Sequence, residues 1–294
     1  MRIAVIGTSG QLGFDLARVL PMRGHDLIAF AGRADLDITD ATSFTRMLAD
    51  KKPDAVINTA AYHNVDLCEE ETDAAYRANV IAVREIAKAC EAASVTLIQI
   101  GTDYVMEGFP ACKPLPESAA VSPNSIYSLT RFGGDCMTLT HAPTCGYVVR
   151  SCGLFGVAGC KLKGGLNFVD LMIKMASEGK KLKVVDDQTV APTPTDDLSL
   201  QLATILEKRP PAGLYHAVSH GETTWFNFAK TALELAGIPH DIEPVASTVY
   251  AASAKRPHYS VLDNAKLRAA GLDVMHDWQA GLERYIRTKY SQSK

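Results

Sequence analysis

The chain has 294 residues, enough to bury a substantial core, with 30 Lys and Arg set against 33 Asp and Glu for a formal charge of −3. No basic face or tail stands out, which argues against a nucleic-acid partner and leaves an anionic small molecule open. Seven cysteines, at positions 68, 90, 112, 136, 145, 152 and 160, include no Cys-x-x-Cys pair and no His at zinc spacing, so reduced thiols, a cytoplasmic setting and no assigned metal site are expected. The start lacks the pattern of a secretory leader, and no apolar run approaches the ~18 residues of a membrane span, so neither export by that route nor a membrane is expected.

In chain order, an apolar run over 2–7 breaks into Gly7, Gly10 and Gly13 ahead of Leu12, Leu16, Val19 and Leu20 at helical spacing. A strand, a glycine-rich turn and a helix in that order suit a dinucleotide. Gly7 allows the sharp turn, Gly10 lets backbone amides approach a pyrophosphate, and Gly13 lets the helix lie close to the sheet. Further candidate strands fall at 26–30, 54–59, 95–101 and 145–150, separated by helical periodicity. The alternation predicts an α/β fold, a Rossmann-type doubly wound parallel sheet with right-handed crossovers. Between Thr72 and Ala93, Ala75, Ala78, Asn79, Ala82, Val83, Ile86, Ala87 and Cys90 share a stripe, which predicts one long sheet-covering helix with a buried Asn79 in need of partners.

Beyond about residue 150 the pattern loosens into a Gly and Lys loop (157–165), a helix (166–178), a short strand (182–186), and Pro192 and Pro194 ahead of another helix. Pro210, Pro211, Pro239, Pro244 and Pro257 punctuate shorter elements there. Residues 1–150 are therefore expected to form the dinucleotide-binding core. Residues 151–294 are expected to form mainly a smaller substrate-binding lobe, with segments returning to the core. Ligands of open α/β sheets lie beyond the carboxyl ends of the strands.

The fourth candidate strand ends in Gly101-Thr102-Asp103-Tyr104, placing a hydroxyl, a carboxylate and a phenol at that edge. Tyr127 and Arg131 follow as an i,i+4 pair at the start of a helical segment, which sets them side by side. A phenol moved from ~10 toward ~7 needs about 4 kcal/mol. One cation ~4 Å away at an effective dielectric of ~20 supplies about that much, so Arg131 is expected to lower the Tyr127 pKa. No carboxylate ends the second candidate strand, and Arg33 follows it, which favours NADPH, with NADH left open; an exposed loop charge is the other reading of Arg33.

These residues sit among longer signatures: Asp35-Leu36-Asp37-Ile38-Thr39-Asp40, Pro53-Asp54-Ala55-Val56-Ile57-Asn58-Thr59-Ala60-Ala61-Tyr62, Val65-Asp66, Thr102-Asp103-Tyr104-Val105, Asn167-Phe168, Asp187-Gln188 with Pro192-Thr193, Gly221-Glu222-Thr223-Thr224-Trp225, and Arg256-Pro257 before Ser260-Val261-Leu262-Asp263. Taken together they make the sequence resemble, over nearly its whole length, the dTDP-4-dehydrorhamnose reductases of the extended short-chain dehydrogenases/reductases. The resemblance implies a Thr102, Tyr127 and Arg131 triad that reduces a nucleotide-linked 4-keto-6-deoxy sugar. Tyr127 would give a proton to the 4-keto oxygen and Thr102 would hydrogen-bond it, while the nicotinamide delivers hydride. It further implies that Asp103 touches substrate, that Gly10, Gln11 and Leu12 hold the pyrophosphate, that Asp37 and Ile38 meet the adenine, and that Ala60, Ala61 and Tyr62 meet the middle of the cofactor. Asn167 and Arg256 are implied for the sugar nucleotide's diphosphate. Asn167 reads equally well as a helix N-cap and Asp40 better as one, whereas Arg256 has little structural reason to be where it is.

Three departures from the family pattern stand out: Arg131 for the helix lysine, Gly101 for the serine before the catalytic Thr, and Gly153 for a substrate-contacting aromatic. Arg131 keeps the charge but cannot serve in a proton relay. The family's metal-binding carboxylates are not matched. A catalytically drifted, NADP-binding regulatory subunit and a reductase or epimerase of another nucleotide sugar are the competing readings. A homodimer also stays open.

Overall fold

The computed structural model describes residues 1–159 and 164–290. Along the chain come β1 (Arg2–Ile6), α1 (Gln11–Met22), β2 (Asp26–Phe30), α2 (Ala41–Lys51), β3 (Ala55–Asn58), α3 (Leu67–Glu70), α4 (Thr72–Tyr76), α5 (Ala82–Ala93), β4 (Thr96–Thr102), α6 (Ile126–His141) and β5 (Gly146–Ser151). Next are α7 (Phe168–Ser177), β6 (Leu182–Val185), β7 (Thr189–Val190), α8 (Thr195–Lys208), β8 (Gly213–His216), β9 (Thr223–Thr224), α9 (Trp225–Ala236), β10 (Ile242–Val245), α10 (Ala265–Ala269) and α11 (Trp278–Tyr290). Part of the expected Gly and Lys loop, residues 160–163 with Cys160, lies outside the described residues, as do 291–294.

Six parallel strands run in the order β2-β1-β3-β4-β5-β8. The chain leaves β1 on one side to make β2 and returns on the other to make β3. The strand order therefore reverses beside β1, and a crevice opens there at the carboxyl ends. Helices on both faces explain why the strands read as unbroken apolar runs. Ile3 and Val5 of β1 face one core with Leu12, Leu16, Leu20, Leu198 and Leu202 from α1 and α8. Ala4 and Ile6, pointing the other way, meet Phe44, Met47, Ile86, Ala87 and Cys90 from α2 and α5.

The long helix expected over 72–93 is interrupted by a π-helical turn at Arg77–Ile81 between α4 and α5. Asn79 in that turn accepts the Tyr62 backbone N–H at 2.8 Å and donates to the Tyr62 carbonyl at 2.9 Å and to Thr130 Oγ1 at 3.1 Å. These bonds supply the partners that a buried amide needs.

A third core joins α7, α9 and α11 with Phe155 and the parallel pair β6–β10 around Phe228, Trp278 and Tyr285, apart from the two on the sheet faces. Between the sheet and this third core lies a seam of Val105, Met106, Cys152, Val190, Tyr259, Val261 and Leu262. The later half of the chain also returns to the sheet: β8 pairs with β5, and α8 packs on α1.

Candidate active site

The crevice opens into a cleft of about 1250 Å³, walled by the strand ends on one side and by α7, β6, α9 and the 247–258 segment on the other. Such a volume exceeds an ordinary small-ligand pocket and suits a dinucleotide with a second ligand. The glycine turn forms its floor. Gly7 has φ +92°, and a Cβ there would lie 2.5 Å from Thr59 Oγ1. At Gly13 a Cβ would stand 2.1 Å from the Gly7 carbonyl oxygen, so α1 approaches the turn as only glycine allows. Gly10 caps α1 without a side-chain bond, and Gly10, Gln11 and Leu12 bring the helix N-terminus to the cleft. The Gln11 amide bridges to the lobe, accepting the Gly156 N–H at 3.1 Å. This cradle fits a dinucleotide pyrophosphate.

Of the residues singled out from the sequence, Gly7, Gly10, Gln11, Leu12, Ala60, Ala61, Thr102, Asp103, Tyr127, Arg131, Asn167 and Arg256 line this one cleft. Gly13 lies behind its wall, and Arg33, Asp37, Ile38 and Tyr62 are not part of the wall. Asp37 is occupied locally, accepting from the Thr39 N–H and hydroxyl at 2.9 and 2.7 Å and from Arg33 Nε at 2.7 Å. The Arg33 side chain is 77 % exposed. Ile38 belongs to the α2-side core, and the Tyr62 hydroxyl donates to Glu71 at 2.6 Å. Asp40 is the N-cap of α2, accepting the N–H groups of Thr42 and Ser43.

Thr102 ends β4, and its hydroxyl donates to Asp103 at 3.3 Å while accepting the Tyr104 N–H at 3.3 Å. Tyr127 enters from the first turn of α6, which Ser125 and Ser128 fix with a capping box. Its ring meets the Tyr104 ring edge-on, with centroids 5.5 Å apart and planes at 87°. One turn on, the buried Arg131 donates through Nη2 to the Ile100 carbonyl. Here the expected direction of the Tyr127 pKa is corrected. Loss of solvent raises it above the ordinary 10.0 and outweighs the lowering by Arg131 and by the hydrogen bond to Thr102. Tyr127 thus keeps its proton at neutral pH, the state a proton donor requires.

Asp103 is buried and serves as a tie: its carboxylate accepts from Ser260 at 2.6 Å and from the Cys152 thiol at 3.1 Å, joining β4 to the seam. Burial raises its pKa against those hydrogen bonds. Asn167 caps α7: Oδ1 accepts the Asp170 N–H at 3.0 Å, and Nδ2 donates to the Gly156 carbonyl and the Tyr285 hydroxyl at 3.1 and 2.8 Å. The Oδ1 bond is the N-cap that the sequence offered as one reading, and the Nδ2 bonds are additional ties from α7 to the lobe. Arg256 corrects the expectation that it lacks a structural reason, because its guanidinium pairs with Asp66, Nη2 to Oδ2 at 2.6 Å and Nη1 to Oδ1 at 3.3 Å.

Two departures have a visible cause. A Cβ at Gly101 would lie 2.7 Å from Arg150 Cγ and 3.2 Å from Asp135 Oδ1, where those side chains form a buried ion pair at 2.8 Å. Gly153 has φ +53°, and a Cβ there would come within 3.3 Å of Pro192 and of the Trp225 ring. Trp225 and Phe168, 4.8 Å apart between centroids, form the aromatic wall of the lobe. Both residues fall inside the sequence motifs, where nothing local marks them as a wall of the cleft. Among the described residues no group of three or more His, Cys, Asp and Glu side chains is placed to hold a metal ion, and no helix is long and apolar enough to cross a membrane.

The sequence matches the family model described as the RmlD substrate binding domain over residues 1–291. A curated dTDP-4-dehydrorhamnose reductase from Streptomyces griseus is 38% identical over 286 residues, 96% of this chain and 91% of that protein. Among solved structures, a dTDP-4-dehydrorhamnose reductase from Clostridium acetobutylicum superposes with a TM-score of 0.91 at 34% identity, covering 98% of this chain and 99% of that one. A reductase of the same name from Bacillus anthracis, in complex with NADP, does so with 0.91 at 31% identity and the same coverage. With the glycine cradle and the Thr102, Tyr127 and Arg131 cluster in one cleft, and with relatives matching from end to end, this chain belongs to the dTDP-4-dehydrorhamnose reductase family.

Proposed function

We propose that this chain is an NADPH-dependent reductase of a nucleotide-linked 4-keto-6-deoxy sugar. The observation that carries the reading is the meeting of the Tyr127 phenol, the Thr102 hydroxyl and the Arg131 cation in the cleft that also contains the glycine cradle. The relatives' names, and the NADP in the Bacillus anthracis structure, support it.

The bound dihydronicotinamide supplies hydride to the 4-keto carbon. Tyr127 gives its phenolic proton to the oxygen as negative charge develops there, and the Thr102 hydroxyl turns to donate a second hydrogen bond to that oxygen. Arg131 stabilises the phenolate left behind, and, being permanently charged, it contributes field and no proton. Gly10, Gln11 and Leu12 hold the pyrophosphate at the start of α1, and Ala60 and Ala61 line the middle of the cofactor. Residues 1–150, with α8 and β8, form the cofactor-binding core. The lobe presents Phe168 and Trp225 for a base and Arg256 for the diphosphate. Arg33, exposed after β2, supplies the cation that prefers the extra phosphate of NADPH.

Tyr127→Phe is expected to lower the rate of NADPH oxidation with a 4-keto-6-deoxy nucleotide sugar by about 100-fold or more while NADPH still binds. Equal turnover by wild type and variant would refute the assignment of the donor.

A further inference from the structure

The segment from 251 to 257 borders the cleft, with Ala254 and Pro257 buried. Ala251, Ala252 and Ser253 are exposed, and the chain from 251 to 257 forms neither helix nor strand. Glu107 holds the far end of the segment through the His258 and Tyr259 N–H groups, whereas the hydrogen bonds of residues 253–256 to the opposite lip converge on one carboxylate, Asp66, between β3 and α3. Asp66 Oδ1 accepts the Ala254 N–H at 3.2 Å and the Ser253 hydroxyl at 3.3 Å, and its two oxygens together receive the Arg256 guanidinium. The Asp66 carbonyl takes a further contact from the Ser253 hydroxyl at 3.4 Å. Arg256 also donates to the Ala254 carbonyl at 3.0 Å and interacts with the Tyr104 phenol. The Tyr104 ring in turn packs on Tyr127.

We infer that Asp66 is a positioning residue for the substrate anion: it straps the 253–256 segment across the cleft and holds Arg256 against Tyr104, with its guanidinium facing the space a diphosphate would fill. The inference rests on the reading of the cleft as a sugar-nucleotide site. The contacts to Ser253 and to the Ala254 backbone separate this from a simple charge lock. A ligand that took Arg256 away from Asp66 would leave the strap fastened. The ion pair alone, with its side chains 26 % and 45 % exposed, is a weak tether. Its larger effect is to order several residues before the ligand arrives, so that binding does not have to order them.

Asp66→Asn keeps the shape and removes the charge. The expected result is a KM for the 4-keto nucleotide sugar raised at least about 10-fold, a smaller fall in kcat, and an unchanged NADPH dissociation constant. Hydrogen exchange across residues 251–256 should quicken, and Asp66→Glu should recover part of the KM. A wild-type KM in Asp66→Asn, an unchanged exchange pattern, or a loss falling equally on NADPH would overturn the inference. Thymidine diphosphate affinity, measured by calorimetry on both proteins, separates this result from the fate of the reductase reading. A wild type that binds the diphosphate at least about 10-fold more tightly than Asp66→Asn supports the strap even if no sugar is reduced. Equal affinities, or no binding to either, refute it.

Discussion

Replacing Gly13 by alanine adds one methyl group, and the structure offers that group no room. It would stand 2.1 Å from the Gly7 carbonyl oxygen, 2.6 Å from the carbon of that carbonyl and 2.7 Å from Thr8 Cα. All three are backbone atoms, so no rotamer change relieves the overlap, and α1 must move by about 1 Å to restore ordinary contact distances. That movement is resisted from the far side. α1 packs on α8, and the Thr195 hydroxyl donates to Asp15 of α1 at 2.5 Å. Overpacking against a fixed wall costs about 3 kcal/mol, and the better helix propensity of alanine offsets about 1 kcal/mol of it. The net loss of about 2 kcal/mol corresponds to a melting temperature lower by roughly 4–8 °C. The displaced N-terminus of α1 also loses its aim at the pyrophosphate. Forfeiting one charge-assisted bond of about 1.5–3 kcal/mol weakens NADPH by about 10- to 100-fold. A thermal melt and a fluorescence titration with NADPH measure both effects. Gly32→Ala is the control, since a Cβ there meets nothing within 4 Å. If Gly13→Ala melts and binds like wild type, the close approach of α1 to the glycine turn is refuted.

Arg33→Ala is expected to bring the NADPH and NADH dissociation constants within about 10-fold of each other in calorimetric titration, as loss of one phosphate contact would. A preference for NADPH that survives intact would place the discrimination elsewhere. Glu207 ties the ends of α1 and α8 through Arg23 and His25, and the bond from Arg23 is the main reason its pKa falls from 4.5 to about 2. Because the folded value is the lower one, the stabilisation is present above 4.5 and fades as the pH falls from there toward about 2. Glu207→Gln should therefore cost about 1–2 kcal/mol in urea unfolding at neutral pH, the full shift being discounted for the partly exposed Arg23. The difference from wild type should shrink below 4.5, and a pH-independent difference would contradict the pairing.

Much of the core was legible because its elements carry their own signals. Unbroken apolar runs marked β1 to β5 to within a residue or so, since strands covered on both faces need no alternation. The glycine spacing located the cofactor turn, and the i,i+4 offset brought Tyr127 and Arg131 together. The lobe was less legible. β7 and β9 are two residues each, too few for a period to register, and β10 carries Pro244, which reads as a break in a strand. The π-helical turn at Arg77–Ile81 inserts a register change that a single helical stripe conceals. In the site, what stayed hidden was partnership: Arg256 looked free because Asp66 lies 190 positions away, and the ties of Asp103 to Cys152 and Ser260 span 49 and 157 positions. The Tyr127 pKa was misread because a cation can be seen in a sequence and the loss of water around a phenol cannot.

The return of the chain to its own sheet sets an order of events during synthesis. β5 has β4 on one side and, on the other, waits for β8, which ends at His216. Until then Tyr147 lacks its hydrogen bond to the Pro210 carbonyl, and β5 presents an open edge at which other chains can pair. The surface of α1 that meets α8 is likewise bare, and Leu267, a member of the same core, emerges later still. A nascent chain stalled near residue 150 would therefore hold a nearly complete glycine turn on an unfinished sheet. On the ribosome, the six-stranded sheet is completed only after His216 has emerged, so residues 1–150 made alone would keep the β5 edge unpaired.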